Sequence, residues 1–357
     1  MESPVAIRVL VVDASRLARK AISLALGADP GIQVVGEASD ATEAIARIRA
    51  LRPDLVTLAM AAATPDGLEA IETIMAQCPV PILGLAARLD VRTAFAAISK
   101  GALDVLELPR EPGAPWPLLL KKVRLLARMD IQAHLAAMKA RGRPAPEQAA
   151  APAPEPAAAS RSSRSGAGLE LVAIAASTGG PQALREILSQ LPASFPWPIV
   201  VAQHMTTGFN KGMADWLDNG AALEVREAED GEALRPGRVY INPPEYSMRV
   251  TGGAEVRLEP PDAALIYHPS CDFLLKSVAQ AYGSRALAAI LTGMGSDGVA
   301  GMRAVHQEGG LTLAQDEASS VVFGMNRLAV EARCIDQVLP LQDLTAELLR
   351  LANPALR

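Results

Sequence analysis

Ser177, His204 and Asp297 each stand where an apolar run gives way to a loop, and together they could carry out acyl transfer. In LELVAIAASTGGPQALREIL, Ser177 lies on the turn between an apolar strand and a helix opening near Pro181. Ala175, Ala176 and Gly179 give A-x-S-x-G, the nucleophile-elbow pattern G-x-S-x-G with Ala for its first Gly. A tight strand-to-helix turn exposes the hydroxyl beside helix N-terminal N–H groups, where negative charge can develop. A serine at this place also serves as a plain helix N-cap, so the pattern alone leaves both readings open.

A serine hydroxyl needs a base, and the chain has four histidines. His134 falls in a helical stretch ahead of a linker, His306 on a helix with polar neighbours, and His268 in the loop LIYHPSCD. His204 follows the strand PIVVAQ directly, at the edge where sites assemble in an open α/β sheet. A lone His beside an apolar strand is often structural, but this one shares its edge with Ser177. In ALAAILTGMGSDGVAGMRAV another buried strand ends in a glycine-rich loop carrying Asp297, which could orient the base. Gly293 and Gly295 free the backbone there, so the Met294 N–H could donate to an oxyanion. Asp297-Gly298 equally suits a turn or an N-cap. The order Ser, His, Asp differs from the Ser, Asp, His of α/β-hydrolases and implies a separate solution on a related architecture.

The elements that must position these residues fall in two blocks. In the first, IRVLVV, IQVVGE, DLVTLA, VPILGL and LDVLEL alternate with four helical patterns, which predicts a doubly wound five-stranded parallel sheet. A fifth helix is expected from about Trp116 to Lys139. Residues 143–167 are Pro, Ala and Ser with no bulky apolar side chain and read as a flexible linker, with Arg161 to Arg164 as solvated tether. Alternation resumes at residue 169 and is interrupted by GRVYINPPEYSMRV and AEVRLEP, which read as an antiparallel insertion in a mostly parallel second α/β domain. The expected division is residues 1–125, a connecting segment 126–167, and 168–357.

The totals narrow the function. Net charge is −5, with no basic excess to suggest nucleic acid as a partner. Cys78, Cys271 and Cys334 form no C-x-x-C pair, which argues against a disulfide framework or structural zinc and fits a reducing cytosol. The N-terminus has no signal-peptide pattern, and no run reaches the roughly 18 apolar residues of a membrane helix, so a cytoplasmic protein without membrane insertion is expected.

IAASTGGPQAL, VVAQHMTTGF, EAEDGEALRPGRVYINPPEYSM, YHPSCDFLLKSVA, ILTGMGSDGVAGM and AQDEASSVVFGMNRLAV, in that order, resemble the catalytic domain of bacterial chemotaxis protein-glutamate methylesterases. The resemblance implies hydrolysis of glutamyl methyl esters on chemoreceptor signalling helices, with glutamine deamidation as a second activity and no metal or cofactor. It implies Ser177 as nucleophile, His204 as base and Asp297 as orienting carboxylate, with Thr178, Gly179 and Met294 in the active-site loops. The family has Gly, His and Pro where Ala175, Ser247 and Asn326 stand.

Residues 7–110 resemble that family's receiver, through which a chemosensory kinase or another regulator would act. Phosphoryl transfer to a carboxylate needs an acidic pair for Mg²⁺, an acceptor Asp, a hydroxyl and a Lys. Asp13 is kept, but Ala14, Ala59, Ala86 and Leu108 stand at the other four positions. Asp66 reads as a turn residue, not a substitute acceptor. The expectation is a pseudo-receiver that keeps the fold without its chemistry. A non-catalytic scaffold, or an esterase outside chemotaxis, are the alternatives.

Overall fold

Apolar runs of three to seven residues alternate with capped amphipathic helices, and that alternation builds two parallel sheets. The computed structural model describes residues 6–60, 66–87, 91–108, 116–129, 131, 168–205, 210–261 and 269–353. His134, His268 and the linker 143–167 lie outside them. No helix among the described residues is long and apolar enough to cross a membrane.

The first sheet contains β1 (Ile7–Val12), β2 (Ile32–Ala38), β3 (Leu55–Ala59), β4 (Ile82–Ala86) and β5 (Asp104–Glu107), in the order β2-β1-β3-β4-β5. All its neighbours pair in parallel. The helices are α1 (Arg16–Gly27), α2 (Ala41–Leu51), α3 (Asp66–Gln77), α4 (Val91–Ser99) and α5 (Pro117–Leu126). Local chemistry sets their starts. Ser15 accepts from Ala18 N–H, and Asp40 accepts from Glu43 N–H while Glu43 reaches back to Ser39 N–H. The helix expected to run from Trp116 to Lys139 is interrupted after Leu126; Ile131 is helical again, and residues 130 and 132–139 lie outside the described ones. Ala127 N–H still bonds to Val123 O, but Arg128 and Met129 close back three residues, on Leu125 and Leu126, as the turn tightens.

The second sheet has β6 (Leu171–Ala176), β7 (Ile199–Gln203), β8 (Glu224–Glu227), β9 (Arg238–Ile241), β12 (Ala286–Ile290), β13 (Leu311–Gln315) and β14 (Gln337–Leu339). Their order is β14-β13-β12-β6-β7-β9-β8, parallel throughout. The antiparallel insertion is the pair β10 (Ser247–Val250) and β11 (Val256–Glu259). The RVYI run, expected within the insertion, is instead β9 of the main sheet. Its side chains Val239, Tyr240 and Ile241 are all fully buried, which a two-sided parallel sheet demands and a surface hairpin does not.

Residues alternate between the faces. Val172, Ile174, Ile199 and Val201 join α6 (Gly180–Leu188), α7 (Asn210–Asp218) and α11 (Leu341–Ala352) in one core. Leu171, Ala173, Ala175, Val200 and Ala202 join α8 (Cys271–Tyr282), α9 (Val299–Gln307) and α10 (Met325–Glu331) in the other. Small residues on the second face let α8 approach closely, where Cys271 donates toward Ala202 O.

The two sheets do not stand apart. Phe95 and Ile98 of α4 belong to the first of these cores, and Phe95 stacks on Trp216 of α7 with ring centroids 5.2 Å apart. The Arg185 guanidinium covers Trp216 at 4.3 Å. Val321 and Val322 pack in return with the core of the first sheet. Phe95→Ala should therefore cost about 3 kcal/mol, the lower end for a buried aromatic. Hydrogen exchange should rise in α4 and α7 together, and a rise confined to α4 would show that the junction carries no such coupling.

Candidate active site

Ser177 and His204 meet because β6 and β7 are neighbours in register. Ala176 pairs with Gln203, so the next residue of each strand leaves the sheet side by side, at a separation set by the ~4.8 Å strand spacing. His204 N–H bonds to Ala176 O at 3.0 Å, and Ser177 N–H to Thr292 O at 3.0 Å. Gln203 fastens the two exits together, its Nε2 donating to Ser177 O at 2.8 Å and to His204 O at 2.9 Å. The turn after Ser177 requires glycine. Gly179 has φ +79, and a Cβ there would lie 2.5 Å from Val321. A Cβ on Gly293 would lie 2.6 Å from the Ser177 Cβ, so the neighbouring loop closes over the serine only because that position is bare.

Asp297 arrives from the loop after β12. Its Oδ2 lies 2.7 Å from His204 Nε2, with both side chains about nine-tenths buried. The N-terminus of α8 holds the carboxylate from behind. Cys271 N–H reaches Oδ2 at 2.7 Å, while Asp272 N–H and Ser270 Oγ reach Oδ1 at 3.0 Å each. Burial pushes the Asp297 carboxyl up, but the His204 hydrogen bond and those N–H groups outweigh it and leave it below the ordinary carboxylate range. An ionised Asp297 makes His204 Nε2 the donor. Nδ1 is then the ring nitrogen left without a proton and able to accept one.

The clasp is reciprocal. Asp272, in the first turn of α8, accepts at Oδ1 from Gly298 N–H at 2.9 Å and from Gly301 N–H at 2.7 Å, capping α9, the helix that Asp297 precedes. Each carboxylate thus binds the positive end of the other's helix. Burial, helped by the charge of Asp297, raises the Asp272 carboxyl above its ordinary value, against the pull of Gly301 N–H. Ser270, Cys271, Asp272 and Gln203 had no assigned role in the sequence reading. The signal available was Pro269-Ser270-Cys271-Asp272, an N-cap with an acid in the first turn, which says where a helix starts but not what its N-terminus holds.

The other expected site residues fall as follows. Thr178 is buried and its carbonyl accepts from Thr292 Oγ1 at 2.9 Å. Met294 lines, with Ser177, Thr178, Gly179 and His204, a cavity of about 280 Å³. The opposite wall of that cavity comes from the first sheet's side: Phe95, Ile98, Val105, Leu106 and Lys122. His306 lies elsewhere, its Nδ1 3.7 Å from Asp336. Ala175 is fully buried in register with Ala202 and Ile290. Asn326 Nδ2 donates to Gln315 O at 2.9 Å and Ser320 Oγ at 2.8 Å, tying the loop after β13 in place. Ser247 is buried at the start of β10, and nothing in the structure explains the serine there.

At the first sheet, Asp13 accepts from Ser15 N–H at 2.7 Å, and Ala59 ends β3. Ala86 is buried and Leu108 packs on the apolar core. The Asp66 side chain lies outside the described residues.

With this geometry in view, residues 172–348 match the family model for CheB methylesterase, and residues 9–113 match that for the response regulator receiver domain. A protein-glutamate methylesterase/protein-glutamine glutaminase of Paramagnetospirillum magneticum is 45% identical, over 97% of this chain and 96% of its own length. One from Anaeromyxobacter dehalogenans is 41% identical, over 97% of each chain. The chain belongs to the CheB methylesterase family. The crystal structure of the Thermotoga maritima CheB methylesterase catalytic domain is similar with a TM-score of 0.50 and 41% identity, over 51% of this chain and 98% of that one.

Asp272→Ala should leave α9 uncapped and Asp297 loosely held. The expected result is a fall of about 10- to 100-fold in kcat with KM little changed, the signature of a group that acts only through the transition state. An unchanged kcat would remove Asp272 from the positioning of Asp297.

Proposed function

We propose that this chain is a cytoplasmic protein-glutamate methylesterase, acting on methylated chemoreceptor signalling helices, with glutamine deamidation as its second reaction and a receiver that takes no phosphoryl group. The observation that carries the esterase reading is the 2.7 Å contact between His204 and Asp297 at the strand end in register with Ser177. Ser177 Oγ attacks the ester carbonyl as His204 Nδ1 takes its proton. Backbone N–H groups of the Thr178–Gly179 turn and of Met294 hold the oxyanion. The C–O bond to methoxide breaks, His204 returns the proton, and methanol leaves. Water, activated by the same nitrogen, then clears the acyl-enzyme. With glutamine the leaving group is ammonia.

The receiver reading rests on substitution chemistry. Ala59 has no oxygen to accept a phosphoryl group, Ala86 no hydroxyl to contact it, and Leu108 no charge to pair with it. Asp13 is left with Arg19, whose guanidinium donates to the Asp13 carbonyl at 2.6 Å and lies 3.3 Å from Glu37. The receiver's α4, β5 and α5 surface walls the cavity that holds Ser177, so a receptor helix reaches the serine only when that surface moves aside. A kinase or other regulator docking on the receiver by binding, rather than phosphorylation, would supply the free energy for that movement.

Methanol release from methylated receptor membranes tests both parts, with Ser177→Ala as the blank. A fragment beginning at Gly168 is expected to exceed the full chain by about tenfold, which corresponds to ~1.4 kcal/mol of closure. Equal rates would show that the receiver does not close the site, and no release above the blank from either would end the esterase reading. Incubation with a small-molecule phosphodonor is expected to leave the receiver unlabelled, and acid-labile phosphate on it would refute the pseudo-receiver.

A further inference from the structure

His204, Cys271 and Asp297 present a nitrogen, a sulfur and an oxygen that all lie within 4.8 Å of one another. Among the described residues this is the one such group of three potential metal ligands. Its members are 67 and 93 residues from His204 along the chain and meet because α8 starts behind the dyad. Imidazole, thiolate and carboxylate are the ligand types of zinc, and the spacing is close to what zinc needs. At ordinary bond lengths a tetrahedral ion sets nitrogen and sulfur about 3.6 Å apart and nitrogen and oxygen about 3.3 Å apart. The Nε2 to Sγ distance is 3.4 Å, and the Nε2 to Oδ2 distance is 2.7 Å. Of these two pairs it is the nitrogen–oxygen one that has to open, by roughly 0.6 Å, and the sulfur–oxygen pair lies within 4.8 Å.

Charge favours the same occupant. A neutral imidazole, a thiolate and a carboxylate sum to −2, so a divalent cation makes the buried cluster neutral, where a single charge would be costly. Cys271 is fully buried and Asp297 nearly so, while His204, which lines the cavity, is the member of the group nearest open space.

We propose that His204, Cys271 and Asp297 form an inhibitory binding site for a zinc-like divalent cation. The inhibition rests on the esterase reading above, whereas the binding does not. Bonds form from the metal to Nε2, Sγ and Oδ2. The Nε2 proton relocates to Nδ1, the thiol proton leaves to solvent, and nothing is oxidised or reduced. Nδ1 then carries a hydrogen and can no longer accept the Ser177 proton, so acylation stops. Chelation reverses every step.

The full chain titrated with Co²⁺, a coloured stand-in for zinc, tests the site without any substrate. The expected result is a near-ultraviolet thiolate-to-cobalt absorption that saturates at one ion per chain, bleaches with Zn²⁺ and is missing in Cys271→Val. Its absence from the wild type, or its survival in Cys271→Val through Cys78 or Cys334, would overturn the proposal. X-ray absorption of the zinc-loaded wild type needs no variant, and should show one sulfur with nitrogen and oxygen ligands. A sulfur-free shell is the opposing result. In the methanol assay, half-inhibition by Zn²⁺ should move up at least about tenfold in Cys271→Val, the scale of losing a partner in a metal site. Equal zinc sensitivity in both proteins would overturn the inhibitory role. An enzyme inactive on methyl esters would sink the esterase reading and leave the cobalt experiment to decide binding.

Discussion

A carboxylate buried at a three-element junction is the constraint on which the second domain's architecture depends. Asp297 comes away from water and keeps its charge only because Cys271 N–H, Asp272 N–H, Ser270 Oγ and His204 Nε2 all point at it. Each charge-assisted bond of this kind is worth about 1.5–3 kcal/mol, and a missing one leaves an unanswered buried charge. The requirement reaches outward. The start of α8 must lie at the end of β12, which needs the small residues on that face of the sheet: Ala173, Ala175, Ala202 and Ala288. Gly301 must stay bare, because a Cβ there would fall 2.4 Å from Leu275 as α9 crosses α8. The alanine-rich composition is thus the condition for two helices to bring their N-termini together under one histidine.

The first domain shows the opposite economy. At or just past the ends of β3, β4 and β5 stand Ala59, Ala86 and Leu108, joined by the buried Met60, whose sulfur fills the space over Gly84. On the pseudo-receiver reading proposed above, this apolar filling offers no group to phosphorylate. Its contact with the second domain is likewise apolar: Phe95 on Trp216, and Val321 and Val322 against the receiver core. A contact of this kind is non-directional and scales with buried area, which suits a cover displaced by a competing surface rather than triggered by a charge.

Much of this was legible in the sequence for a physical reason: strands buried on both faces read as unbroken apolar runs, and helices as spaced ones. IRVLVV is β1 residue for residue. The elbow at Ser177 was legible because a tight turn needs Ala176 and Gly179 within a few residues. The RVYI run misled because its flanking Gly and Pro signal a turn, whereas the choice of sheet is made by burial, which local sequence does not carry. The helix after Trp116 was drawn as unbroken because apolar spacing continues past Leu126, while the hydrogen bonds close back on themselves there. The clasp around Asp297 was not legible, since Ser270, Cys271 and Asp272 lie about 25 residues away and carry only a helix-start signal.

The cysteine shows why spacing rules miss such a feature. Metal motifs are recognised when their ligands share a turn, but Cys271 and His204 are neighbours only through the sheet. The thiol occupies a place where any small apolar side chain would fill the volume beneath the imidazole. It donates toward Ala202 O, and burial pushes it well above its ordinary range, so it is an inert thiol while the site is metal-free. A divalent ion reverses that, because coordination stabilises the thiolate that burial disfavours. His204 is therefore the hinge between two compartments. In the proposed mechanism its Nδ1 serves the reaction on the serine side, while its Nε2 faces a carboxylate and a sulfur on the other, so what binds beneath the imidazole would dictate whether it can act above it.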